Sequence, residues 1–323
     1  MKTLYKIAAC ALFFGLPLVA GAVPAKKGKF KKVLPDGTVV TLERHGDEFF
    51  HWTTLEDGTV VSPDADGYYK PSSMPTSESF GGRLEATLQA AAIRARRAAS
   101  ASASVLTRAS AKTYHFPVIL VQFSDKEFSV SNPQQAFYNL LNQRGYSDNG
   151  ATGSVYDYYL ENSMGAFVAE FDVYGPVTLS GSVSDYGTDV TYPYNDGSGD
   201  NAAKALYLAC KSLDSSIDFS KYDNDGDGEV DMVFMYYAGY NEAEGADEST
   251  IWPHKWSFAA YDNYNRTSYS STKFDNKTIN TYACTSELKG TSGADMCGIG
   301  TCAHEFSHTQ GLPDFYDTNY TTD

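Results

Sequence analysis

The chain has 323 residues, 42% of them apolar and 14% aromatic, which excludes a disordered protein and allows one large or two modest domains with a real core. The formal net charge of −15 is unevenly shared: the first 112 residues carry 15 Lys and Arg against 10 Asp and Glu, and the remainder 10 against 30. An acidic main body repels phosphates and so excludes nucleic acid and anionic membrane as partners, while the basic leader has the right sign to dock on it.

At the start, Lys2 and Lys6 precede an apolar run from Ile7 to Ala20, and Ala20-Gly21-Ala22 closes it with small residues, so residues 1–22 read as a secretory signal peptide. The run is too short for a membrane span, and export to an extracellular or periplasmic space is expected. Cys10 leaves with the signal. Cys210, Cys284, Cys297 and Cys302 remain, an even number in an oxidising compartment, so disulfides are expected, with all three pairings open. No CxxC pair favours metal binding by these thiols.

Residues 23–82 alternate short β-rich runs with the turn dipeptides Asp36-Gly37, Asp57-Gly58 and Asp66-Gly67, the pattern of a small β-meander. Residues 83–112 pass from an Ala- and Leu-rich helical stretch into a low-complexity linker, with Arg94, Arg96, Arg97, Arg108 and Lys112 as basic cleavage points. From 113 to 323 the composition is that of a packed domain. HFPVILVQF (115–123) predicts a strand covered on both faces, and PQQAFYNLLNQRG (133–145) the helix after it. A second helix is predicted over 154–163, a strand over 166–175, and a buried strand over 230–239. The helix over 201–213 carries its apolar stripe on Ala203, Leu206, Tyr207, Cys210 and Leu213. Strands alternating with helices indicate an α/β or α+β domain around a central sheet; the expectation taken is α+β with a central mixed sheet and an α/β-like upper part.

Near the end stands His304-Glu305-Phe306-Ser307-His308. Two histidines four apart project from one face of a helix and can share one zinc ion, and Glu305 can turn toward a zinc-bound water and take its proton as the water attacks a carbonyl. Three residues on, Gly311 permits a sharp turn, and Asp314, six past the second histidine, returns to the same ion, as in the extended HExxHxxGxxH pattern with Asp for its last His. The zinc ligands are therefore His304, His308 and Asp314, with Glu305 as general base. Phe306 and Leu312 are expected to pack the helix and turn into the core.

HEFSHTQGLPDFYD, together with GSVYDYYLENSMGAFVAEFDVYGPVTL (153–179) and YDNDGDGEVDMVFMYYAG (222–239), resembles the immune inhibitor A family of secreted bacterial metallopeptidases, from about Phe116 to the last residue. The resemblance implies a metzincin-like zincin catalytic domain, an N-terminal prosegment acting as intramolecular inhibitor, and endopeptidase activity on proteins or peptides. PDGT and GDEFFHW in the leader resemble prosegment motifs of related secreted peptidases. Relatives of this kind continue past the third ligand with a methionine turn that floors the zinc. Here nine residues follow Asp314, none of them methionine, so the expectation is a chain truncated after the zinc motif that binds zinc weakly and aggregates.

Asp223-Asn224-Asp225-Gly226-Asp227-Gly228-Glu229-Val230-Asp231 sets oxygen ligands at the spacing of a calcium loop, with side chains at Asp223, Asp225, Asp227 and Asp231 and the backbone carbonyl of Glu229. Phe234 stands where the bidentate Glu of an EF-hand belongs, so a structural calcium needs a further ligand, with Asp218, Glu242 and Glu244 as candidates. Residues 166–171 are a candidate substrate-pairing edge or an interior strand. His254 reads as a packed histidine, and Cys302 and His304, two apart, face different ways on a helix and form no catalytic pair.

The reading is a secreted zinc endopeptidase made as a latent preproprotein. Its rival is a calcium-dependent secreted binding or adhesion module with an inactive zincin-like domain.

Overall fold

The computed structural model describes residues 24–47, 50–64, 66–73, 91–93, 95, 112–188 and 201–314. The signal peptide and Arg94, Arg96, Arg97 and Arg108 lie outside them. Among the described residues no helix is long and apolar enough to cross a membrane.

The leader forms an antiparallel sheet in chain order: β1 (Lys29–Val33), β2 (Val39–Asp47), β3 (Phe50–Leu55), β4 (Val60–Pro63) and β5 (Tyr69–Pro71). Its tight turns follow from their Asp-Gly pairs. The Asp36 and Asp57 carboxylates each accept the N–H two residues on, at 2.9 Å, and Gly37 and Gly58 take φ +85° and +84°, which a side chain would strain.

The body is built on a mixed sheet of order β10-β13-β9-β6-β7: β6 (Lys112–Gln122), β7 (Phe167–Thr178), β9 (Val233–Tyr237), β10 (His254–Ser257) and β13 (Thr281–Ser286). All neighbours are parallel except β10, which runs antiparallel to β13 at one edge. A small second sheet joins β8 (Glu229–Val230), β11 (Lys273–Phe274) and β12 (Lys277–Ile279). The helices are α1 (Pro133–Asn142), α2 (Val155–Asn162), α3 (Val183–Gly187), α4 (Ala202–Leu213), α5 (Phe258–Asn265) and α6 (Ile299–Thr309). Mixed α and β content agrees with the α+β expectation. Lys112 opens β6, paired with Phe167, so cleavage after it would cut into a hydrogen-bonded strand.

Two apolar layers follow from the period of two in the strands. Ile119, Val121, Met235, Tyr237 and Cys284 face the layer that holds α4. Phe116, Val118, Leu120, Phe234, Tyr236 and Ala283 face the layer holding α1, α2 and α6. Phe306 of α6 is fully buried in that second layer, its ring edge-on to Phe116, Tyr159 and Phe171 at 4.8, 5.1 and 5.2 Å. Burying it contributes about 1.5–3 kcal/mol and fixes which face of α6 turns outward.

Three expectations are corrected. The four described cysteines are free thiols: Cys210 on α4 and Cys284 on β13 lie in one layer, Cys302 on α6 in the other, and Cys297 hydrogen-bonds with Ser286 at 3.3 Å. Leu312 is 46% exposed instead of packed in the core. The segment 166–171 does run along a sheet edge, but that edge is closed, because the Asn142 side chain donates to Phe171 O at 2.9 Å and accepts from Phe171 N at 2.8 Å. With those groups satisfied, β7 offers no ladder at that point to an incoming strand.

Candidate metal centre

Tertiary contacts hold α6 where its polar face can work. It packs across β13 and β10. From α2, the Tyr159 hydroxyl donates to Ala303 O at 2.6 Å and meets Ser307 Oγ at 2.8 Å, fastening the turn between the two histidines. α2 is placed in turn by a capping box, in which Ser154 and Asp157 satisfy each other's backbone N–H.

Past the helix, Gly311 at φ +87° reverses the chain, its N–H bonding His308 O at 2.9 Å. Leu312 O then accepts from His308 Nδ1 at 2.8 Å. A carbonyl only accepts, so Nδ1 carries the proton and Nε2 presents its lone pair. The chain delivers Asp314 to the same place. His304 Nε2 and His308 Nε2 are 3.0 Å apart, and Asp314 Oδ1 lies 3.2 Å from the first and 3.5 Å from the second. Ligands of one tetrahedral ion bound at about 2.0–2.1 Å are spaced about 3.3 Å apart, so this donor set fits zinc in kind and spacing. Both Asp314 oxygens are buried without a hydrogen-bond partner. Burial raises the Asp314 pKa, but the two imidazoles outweigh it and hold the carboxyl below its ordinary range.

Glu305 is fully buried beside the triad, and neither of its oxygens has a hydrogen-bond partner. Burial pushes its carboxyl up to about 7, opposed by His304 and His308, reinforced by Asp314, and opposed again by Lys255 of β10. Lys255, Tyr159 and the Leu312 carbonyl were not visible as site residues in the sequence. The first two reach the site from other elements, and a backbone carbonyl leaves no side-chain signal.

The other sequence-level candidates fall as follows. His254 is buried and neutral, its pKa lowered to about 4 by burial, with Nδ1 on Trp252 O at 2.7 Å and Nε2 taking the Tyr282 hydroxyl at 2.9 Å. Cys302 faces the core, its thiol pushed up to about 12 by burial, which leaves it inert beside His304. Asp223, Asp225 and Asp227 do come together, with one oxygen from each within 4.8 Å of the others. Asp223, however, already accepts N–H groups from Gly226, Asp227 and Gly228 and pairs with Lys277 Nζ at 2.6 Å. Asp231 accepts from Asn224, and Glu229 lies in β8. The further ligands are engaged elsewhere: Asp218 on Ser220, Glu242 on Arg44, and Glu244 on the Gly290 N–H. Three of the five expected calcium residues thus come together, with the Lys277 ammonium paired to the first of them.

The sequence profile of the immune inhibitor A peptidase M6 catalytic domain matches residues 104–323. Immune inhibitor A of Bacillus thuringiensis subsp. alesti is 29% identical over 189 residues, covering 51% of this chain and 26% of that protein. The pre-pro-metalloprotease PrtV of two Vibrio cholerae serotype O1 strains, M66-2 and ATCC 39315 / El Tor Inaba N16961, is 25% identical over 201 residues, covering 54% of this chain and 21% of each relative. The match thus spans about a quarter of the length of these relatives. The profile extends over the whole body, the His304–Asp314 turn included, and over more than half of the chain, so the chain belongs to the immune inhibitor A peptidase M6 family.

Proposed function

We propose that this chain is the zinc-dependent endopeptidase part of a secreted protein, made as a latent preproprotein whose β-rich prosegment, residues 23–82, joined by the linker 83–112, restrains a metzincin-like catalytic domain. The observation that carries the reading is the convergence of His304 Nε2, His308 Nε2 and Asp314 Oδ1 at 3.0–3.5 Å beside the buried Glu305.

In this reading His304, His308 and Asp314 hold the ion. Bound zinc supplies Lewis acidity at a peptide carbonyl and acidifies a coordinated water. Glu305 takes the water's proton on its carboxylate as the water attacks the carbonyl, and returns it to the departing amine nitrogen. His308 is held in its working tautomer by Leu312 O. Lys255 of β10, the strand that α6 packs against, lies near the Glu305 carboxylate and favours its charged form. The test is casein hydrolysis by the body after the leader has been cleaved and removed: a chelator should stop it and one equivalent of zinc restore it. Hydrolysis indifferent to chelation would overturn the zinc assignment, and zinc bound without hydrolysis would favour a binding module.

The acidic loop is proposed as a weak calcium site at most. An ion there has to displace the Lys277 ammonium from Asp223, so calcium titration followed by tryptophan fluorescence should give a dissociation constant no tighter than about 10⁻⁴ M. Micromolar binding would contradict this.

A further inference from the structure

Among the described residues, the leader sheet meets the body at the loop of residues 241–252, between β9 and β10. Arg44 of β2 enters it with its side chain only 2% exposed. Its Nη1 lies 2.8 Å from Glu242 O, 3.2 Å from Glu242 Oε1 and 3.4 Å from Ala246 O, and its Nη2 lies 3.3 Å from Glu248 Oε1. The Phe30 ring of β1 covers the guanidinium, its centroid 5.5 Å from Cζ. Around this centre Lys32 pairs with Asp247, the Tyr69 hydroxyl donates to Glu248 at 3.2 Å, and the His51 ring stacks on Trp252 at 4.7 Å. His51 Nε2 is also 3.6 Å from Glu242 Oε1, and the backbone N–H of Lys26 donates to Ala243 O at 2.7 Å.

We infer that this loop is an arginine-accepting socket on the body, and that Arg44 is the latch that keeps the leader bound after the chain between them is cut. Two carboxylates and two carbonyls converge on a planar fork, a geometry that guanidinium matches and a single ammonium does not. Glu242 is buried, so desolvation works against its charged form and Arg44 is the group that favours it. A buried ion pair adds little by its mere presence, but removing one partner leaves the other charge stranded, so the cost of losing Arg44 falls on the interface itself. Lys32 and Asp247 are more exposed and more readily screened by salt. Cutting the linker would therefore not be enough to free the body; the leader also has to be pulled from the socket or digested.

The inference rests on residues 24–73 being a leader that is severed from the body, and it is tested without reference to catalysis. A site-specific protease sequence is inserted after Ser104 of the full chain, the chain is cut, and the two parts are run on size exclusion at about 0.15 M salt, where exposed pairs are largely screened. The cut wild type should co-elute as one complex. Arg44→Met should separate, with leader affinity lower by about 100-fold, and Arg44→Lys should fall between them. Since Arg44→Met could disturb the leader sheet, Glu242→Gln on the body side, which leaves the leader intact, should weaken retention as well. Immediate separation of the cut wild type, or unchanged retention in both Arg44→Met and Glu242→Gln, would overturn the inference. Retention is scored whether or not casein is hydrolysed, so its failure and that of the peptidase reading are distinguishable.

Discussion

Glu305→Ala is expected to keep zinc at one equivalent and to lose peptidase activity by about 10³-fold or more, in kcat rather than KM. In the proposed mechanism the carboxylate takes the proton of the reacting water and is not a ligand, so its removal takes away the proton acceptor while His304, His308 and Asp314 still converge. The side chain is fully buried and its oxygens have no protein partner, so truncation strands no hydrogen-bonded neighbour. The variant should therefore fold at least as well as the parent in the metal-free state. Turnover comparable to the parent would remove Glu305 from the mechanism, and loss of zinc along with activity would make it a ligand instead of a base. Peptide hydrolysis and metal content measured on one preparation separate these outcomes.

Stripping the metal should lower stability, and the loss should depend on pH in a direction set by Glu305. Zinc held at about 1,000 times its dissociation constant stabilises the folded chain by about 4 kcal/mol. Its removal should therefore lower the melting midpoint by roughly 10 °C for a domain of this size. In the metal-free chain burial lifts the Glu305 carboxyl from its ordinary 4.5 to about 7. The folded state thus favours the proton more than the unfolded state does. That contribution is fully present below pH 4.5 and is lost as pH rises through about 7. Asp314, held low by the two imidazoles, acts oppositely, its contribution being lost only as pH falls below the ordinary range for Asp. Thermal melts of the chelated protein should accordingly weaken between pH 5 and pH 8. Glu305→Gln should reduce that slope, the remainder coming from Glu242, whose carboxyl burial also raises; an unchanged slope in Glu305→Gln would remove Glu305 as its source.

Much of the centre was legible in the sequence because its parts are close along the chain. His304 and His308 share a helix face, and Gly311 and Asp314 complete the set within one turn. The strands at 115–123 and 230–239 were legible for another reason: burial on both faces leaves a continuous apolar run, and β6 and β9 fall there. What sequence could not show is what depends on distant pairing. β10 is four residues long and acquires its meaning only as the antiparallel edge beside α6. Asn142 closes the β7 edge from 29 residues away, and Arg44 meets Glu242 across 198. Cysteine parity was misleading, since an even count in an oxidising compartment says nothing about which layer of the sheet each thiol faces. Leu312 looked like a core residue by type, but its position in a reversing turn turns its side chain outward and uses its carbonyl.

The most direct test of the zinc assignment is an anomalous difference map recorded at the zinc absorption edge from crystals of Glu305→Ala. The account predicts one peak about 2.0–2.2 Å from His304 Nε2, His308 Nε2 and an Asp314 carboxylate oxygen. A peak at other residues, or none there in crystals of a wild-type preparation that hydrolyses casein, would contradict it.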